Sequence, residues 1–180
     1  ASAATRPALP NRIEHVQLLH ADDLPRLAQL GVVASMQPIH ATSDMDMAGR
    51  HWGRRCELAY AWHSVLAGGA RLAFGSDAPV ETMDPLAGIH AAVTRRRADG
   101  GPGPDGWIPA QRISVAQAVH AYTLGAAHAS GEAHLKGSLT PGKLADLVVL
   151  SHDIFQVPPE EIAAARVEMT LLDGKIVYAQ

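Results

Sequence analysis

His15 and Asp77 are the two residues whose contexts most invite chemistry. A neutral imidazole and a carboxylate are natural zinc ligands, and a carboxylate beside a metal-activated water can also accept its proton. His15 lies on the stretch Arg12 to Leu19, which alternates apolar and polar residues and then turns apolar, as a strand leaving a sheet does. Asp77 follows the short apolar run Ala70 to Gly75 in the sequence Ser76-Asp77-Ala78-Pro79. Ligands of α/β folds bind at the carboxyl ends of parallel strands, so this His and Asp are expected to converge on one pocket. A purely structural account stays open beside it, with Asp77 capping the following turn and His15 packed in the core. His40, after Gln37-Pro38-Ile39, is expected in a loop over the same rim. The remaining eight of the ten histidines sit in helix-like or polar stretches and are read as structural or solvent-facing. Arg55 and Glu57 read as solvated, and Cys56 as packing. No Gly-x-Ser-x-Gly, Walker or Gly-x-Gly-x-x-Gly pattern is present, which removes the simplest serine-hydrolase, nucleotide and dinucleotide readings.

The elements that must position these residues alternate. After the first strand, Asp22 and Asp23 offer a cap for a short helix that includes Leu24, Leu27, Ala28 and Leu30 and stops at Gly31. Gly31 to Gln37 reads as a second buried strand ended by Pro38, completing a strand, helix, strand unit. The polar, Met-rich segment Ala41 to Gly53 shows no period and predicts a loop. Arg54 to Leu66 predicts a helix, Ala70 to Gly75 a third strand, and Pro85 to Arg96 a further helix. A breaker-rich linker runs from Arg97 to Gln111, and Ser114 caps a helical region extending to about Ser130 with a kink at Gly125. Beyond Gly131 the pattern changes to short strands, Asp146 to Leu150, then Val167 to Leu172 and Lys175 to Tyr178 around Asp173-Gly174, a strong hairpin signal.

Composition narrows the partners. With 180 residues, a net charge of -3 and no clustering of Lys and Arg, the chain has the size of one globular domain and lacks the basic stripe of a nucleic-acid binder. No apolar run reaches the length of a membrane helix, the opening Ala-Ser-Ala-Ala-Thr-Arg-Pro is unlike a signal peptide, and a lone cysteine fits a cytoplasmic location. Residue 1 is not Met, which raises the expectation that the natural protein begins earlier.

These residues together resemble the metal-dependent amidohydrolases, within them the amidohydrolase-3 branch that contains formamide deformylase-like proteins. The segments that carry the resemblance are Arg12-Ile13-Glu14-His15, Gln37-Pro38-Ile39-His40 with Ser43-Asp44, Tyr60-Ala61-Trp62, Gly75-Ser76-Asp77-Ala78-Pro79-Val80, Ala121-Tyr122-Thr123, and Lys136-Gly137-Ser138-Leu139 through Pro141-Gly142-Lys143-Leu144-Ala145-Asp146-Leu147-Val148-Val149-Leu150. They occur in family order across residues 11 to 180. The resemblance implies an α/β fold, the C-terminal part of a TIM-type (β/α)8 barrel, with strands six to eight and their helices in residues 11–131 and strands of a small β-sandwich in residues 132–180. It implies His15 as a metal ligand, Asp77 as ligand and proton carrier, and His40 and Gln37 as substrate-facing residues. The cofactor implied is zinc or another divalent metal in the complete enzyme.

The family's first-strand His-x-His pair, its bridging carboxylate or modified lysine and its fifth-strand histidine have no counterpart here. A barrel takes about 250 residues and eight strands, so the chain is expected to be a C-terminal portion, completed by a missing N-terminal part or another copy. Two ligands fall short of the three that a catalytic zinc takes from protein, so this chain alone is expected to be inactive and to hold no metal. The activity expected of the parent is hydrolysis of a C–N bond in an amide, formamide or cyclic amide by metal-activated water. Deamination with the same groups is the nearest enzymatic alternative, and a non-catalytic assembly module that retains the barrel surface is the alternative from another class.

Overall fold

The computed structural model describes residues 9–180; the opening segment read above as unlike a signal peptide lies outside them. The architecture is mixed α/β, with two separate three-stranded sheets. In the first, β1 (Arg12–Glu14), β2 (Val33–Met36) and β3 (Arg71–Phe74) lie in that spatial order, all parallel. Helix α1 (Leu24–Gln29) forms the crossover from β1 to β2, with Leu27 buried. The central strand reads Val-Ala-Ser-Met and is buried apart from Ser35, as a strand covered on both faces should be.

Two expectations are corrected. The segment 41–53 is not a loop but most of the long helix α2 (Pro38–Trp52), which starts directly after β2 with Gln37 as N-cap and Pro38 in its first turn. Its buried residues are Pro38, His40, Ala41, Thr42, Met45 and Ala48; apart from His40 these are small or weakly apolar side chains at helical spacing. That composition hides the helical period. The helix expected over 54–66 is broken: Gly53–Leu58 forms a 3-10 turn, Tyr60 takes a left-handed conformation, and only α3 (Trp62–Ala67) is α-helical. The interruption has a cause outside the segment, because Leu18 and Ala59 form an antiparallel bridge in which Leu19 N–H donates to Leu58 O and Tyr60 N–H to Gln17 O. The same bridge explains why β1 ends at Glu14 rather than continuing to Leu19.

Helix α4 (Pro85–Thr94) is capped by Asp84, whose carboxylate accepts from Leu86 N–H at 2.9 Å. The region begun by Ser114 contains α5 (Val115–His120) and α6 (Ala126–Ala129), joined by a π-helical turn over Ala121–Gly125 rather than a simple kink. Ser114 and Gln117 form a reciprocal capping box at its start. This turn lies tight on the sheet: a Cβ placed on Gly125 would come 2.2 Å from Leu72 O. The core between sheet and helices gathers Met36, Trp62, Val65, Leu72, Phe74, Leu86 and Ile89. The second sheet is antiparallel, β4 (Leu147–Leu150), β5 (Val167–Leu172) and β6 (Lys175–Ala179), with the Asp173-Gly174 turn where the dipeptide places it and both residues at positive φ.

Candidate metal centre

The rim above β1, β2 and β3 is built from residues in the segments that follow each strand. β1 ends in a sharp turn at His15 and Val16, both at positive φ, while His15 N–H donates to Ser35 O at 2.7 Å. β3 ends at Phe74, Gly75 N–H donates to Met36 O, and Asp77 also takes a left-handed φ of 59°. Left-handed conformations are uncommon outside glycine and persist where the surroundings over-determine them, often at functional sites. From the middle strand, the first turn of α2 carries His40 over the same edge.

These three side chains meet. His15, His40 and Asp77 each place a ligand-type atom within 4.8 Å of the other two. His40 Nε2 lies 3.2 Å from Asp77 Oδ2, and the two imidazole rings are 5.8 Å apart at 58°. His15 Nδ1 faces Gln37 Oε1 at 2.9 Å; with Gln37 as acceptor, the Nδ1–H tautomer leaves the Nε2 lone pair free. Gln37 is itself buried, so the ring orientation is fixed from beneath. On its other side His40 Nδ1 is 3.7 Å from Glu81 Oε1, and Glu81 also accepts from Ser43 Oγ at 2.6 Å.

The donor set suits a divalent cation such as zinc. Tetrahedral coordination with bonds of about 2.0–2.2 Å separates neighbouring donors by roughly 3.4 Å. The His40 to Asp77 distance of 3.2 Å matches that edge, and the third donor lies within reach of it. Two neutral nitrogens and one carboxylate are also the ligand types of catalytic zinc sites. The structure thus brings together all four residues singled out from the sequence, but in an arrangement that differs from the expected one. Gln37 faces His15, and His40 belongs to the donor cluster as much as His15 does. Sequence reasoning gave no role to Glu81, although it stands four residues beyond Asp77.

A second polar group flanks the cluster. Tyr60 O–H donates to the Asp44 carboxylate, and Gln17 Nε2 donates to both Tyr60 Oη at 2.9 Å and Asp44 Oδ2 at 3.2 Å. Burial, reinforced by the bond to Asp44, pushes the Tyr60 hydroxyl well above its ordinary range and keeps it a donor. Tyr60 is held in its strained turn by Arg95, a fully buried residue whose guanidinium donates to Tyr60 O at 2.8 Å, Ala59 O at 3.3 Å and Trp107 O at 2.7 Å. Burial lowers the Arg95 pKa to about 9, still charged at neutral pH, and the guanidinium lies 4.4 Å and 5.0 Å from the Trp62 and Trp107 ring centres.

The sequence profile of the amidohydrolase family matches residues 1–178. The chain belongs to that family. It is 41% identical over 169 residues to the protein LONG AFTER FAR-RED 3 of Arabidopsis thaliana, covering 93% of this chain and 28% of that protein. To the N-substituted formamide deformylase of Arthrobacter pascens it is 29% identical over 169 residues, covering 93% of this chain and 30% of the enzyme. Among solved structures, an uncharacterized metal-dependent hydrolase from Pyrococcus horikoshii OT3 superposes with a TM-score of 0.73 at 32% identity, over 83% of this chain and 30% of that one. This amidohydrolase-family chain therefore spans under a third of the length of these relatives. Among its described residues, no helix is long and apolar enough to cross a membrane.

Proposed function

We propose that this chain supplies one side of the active site of a metal-dependent hydrolase that cleaves a carbon–nitrogen bond in an amide, formamide or cyclic amide. The observation that carries the reading is the convergence of His15, His40 and Asp77 at the carboxyl ends of three parallel strands. Residues 11–131 would then be the last three strands and helices of a TIM-type barrel, and residues 132–180 part of a β-sandwich. The open edges of β1 and β3 support completion by further chain. So does the second sheet, where Val148, Leu172, Ile176 and Val177 are all more than half exposed. A missing N-terminal part, or another copy of this chain, would cover these surfaces.

A divalent metal held by these donors would polarise the scissile carbonyl and make the attacking water more acidic. The chain's own groups do the rest. Gln37 fixes the His15 ring so that Nε2 points its lone pair outward. An Asp77 carboxylate oxygen takes a proton from the attacking water as the C–O bond forms. It returns that proton to the departing nitrogen as the C–N bond breaks, so the amine leaves neutral and the carboxylate is regenerated. Asp77 is the most exposed of the three donors, as a group that must reach both water and leaving nitrogen should be.

The test is made on the full natural protein. Asp77→Asn should lower amide turnover by about 10²-fold or more while leaving the melting temperature near that of the wild type. His15→Ala and His40→Ala should each lower bound zinc measured by atomic emission. Near-normal turnover of Asp77→Asn, or unchanged zinc in both histidine variants, refutes the assignment; release of ammonia from an amidine-type substrate would instead identify a deaminase.

A further inference from the structure

Asp44 stands apart from the other carboxylates near the rim. Glu14 and Asp46 are exposed and ion-paired, with Arg12 and Arg97, and Asp23, of intermediate exposure, is paired with Arg26. Asp44 is half-buried, and among the described residues no Lys, Arg or His lies within ion-pair distance of it. Both of its hydrogen bonds, from Tyr60 O–H and Gln17 Nε2, end on Oδ2. Oδ1 accepts from no described residue. A carboxylate removed in part from water and fixed by neutral donors alone keeps an uncompensated charge and vacant lone pairs.

Its position and rigidity make that charge usable. Asp44 lies four residues beyond His40 on α2, so the two share a face, separated by about one turn or roughly 6 Å along the axis. Gln17 lies two residues beyond His15 on the neighbouring strand end. Tyr60 is buried, and its backbone oxygen is clamped by Arg95, so the donor that aims Asp44 has nowhere to move. A pre-aimed carboxylate loses little freedom when it binds.

We infer that Asp44 is a recognition residue for a protonated nitrogen on the substrate, held about one helical turn from the bond cleaved at the His15, His40 and Asp77 cluster. The amide substrate class is thereby narrowed to amides with an ammonium or amidinium group about three carbons from the scissile nitrogen. An occupant of this kind supplies the charge and the N–H donors that Oδ1 lacks, in a charge-assisted hydrogen bond. The inference rests on the rim being the substrate site.

The experiment uses the full natural protein in its Asp77→Asn form, so that binding is read without turnover. Two probes of equal shape are compared by calorimetric titration: N-(3-aminopropyl)formamide, cationic at neutral pH, and N-butylformamide. The cationic probe should bind about tenfold more tightly, and the preference should shrink as salt rises. Adding Asp44→Asn should bring the two affinities within about twofold, and adding Tyr60→Phe should give an intermediate preference. Equal affinity for both probes, binding of neither, or a preference that survives Asp44→Asn overturns the inference. Formate release is measured separately with Asp77 intact. A preference that depends on Asp44, without formate release from either probe, leaves the recognition role standing and removes the hydrolytic reading.

Discussion

Replacing Arg95 by Met tests whether a buried guanidinium holds the rim in place. Methionine keeps most of the volume and apolar length but carries no donor, and the left-handed backbone at this position bears a Cβ in either case. Three carbonyls lose a partner, but not equally. Tyr60 O still accepts from Trp62 N–H at 3.0 Å, whereas Trp107 O and Ala59 O receive only the guanidinium among described donors. Two orphaned carbonyls at about 1–3 kcal/mol each set the scale. Loss of cation–π contact with two indoles adds about 1 kcal/mol or more, and relief of the buried charge works in the opposite direction. Replacing a buried charge can be neutral where both partners become apolar; here the acceptors are backbone and stay. The expected net loss is about 3 kcal/mol. With a urea dependence of about 2 kcal/mol per molar, the midpoint should fall by about 1.5 M. Tryptophan fluorescence is the natural probe, because Trp62 and Trp107 both touch the guanidinium. A midpoint within about 0.3 M of wild type would refute the reasoning. Arg95→Lys should fall between the two, since one ammonium cannot serve three diverging carbonyls or stack between indoles.

Gly88→Ala on α4 would place a Cβ 1.8 Å from Tyr122 Oη and 2.7 Å from Cζ, against a ring packed edge-on to Phe74. It should cost about 1–3 kcal/mol, with a non-additive cycle against Tyr122→Phe measured by thermal melts; additive losses would show that the two do not meet. His90 on the same helix is held below its ordinary value of 6.5, first by burial and then by the Arg96 charge. The unfolded chain therefore takes up this proton more readily than the folded one. The stability linked to His90 is complete above pH 6.5 and is lost as pH falls below it. Melting temperature should drop between pH 7 and pH 5 more steeply in the wild type than in His90→Gln, and parallel curves would remove His90 as a cause.

How much of this could be read from the sequence depends on where each signal resides. The parallel strands announce themselves because each is a short apolar run bounded by turn residues, and the Asp173-Gly174 hairpin because its geometry is encoded in two adjacent residues. Helix α2 is missed for the opposite reason. Its buried stripe of Ala, Thr, Met and Pro packs closely without being strongly apolar, so its period appears only once a sheet lies beneath it. The helix expected at 54–66 fails through a contact with Leu18, some forty residues upstream, which no local window contains.

The candidate centre divides along the same line. His15 and Asp77 sit on or just past recognisable strands, so their convergence follows from topology alone. His40 reads as a loop residue from sequence because the period of α2 is hidden, and its place in the donor cluster follows from a helix starting at Pro38. Tyr60, Asp44 and Arg95 belong to the matching motifs or to an ordinary helix end, with nothing local to mark them as one unit. They become one only when an unusual turn at Tyr60 faces α2 on one side and a buried arginine on the other. The sheet thus sets where chemistry can occur, while the irregular segments between its strands set which groups arrive there and how firmly they are held. On the proposed reading, that division would put the reaction at the strand ends, whose residue types are legible, and substrate choice at Asp44 and Tyr60, whose meaning exists only in three dimensions.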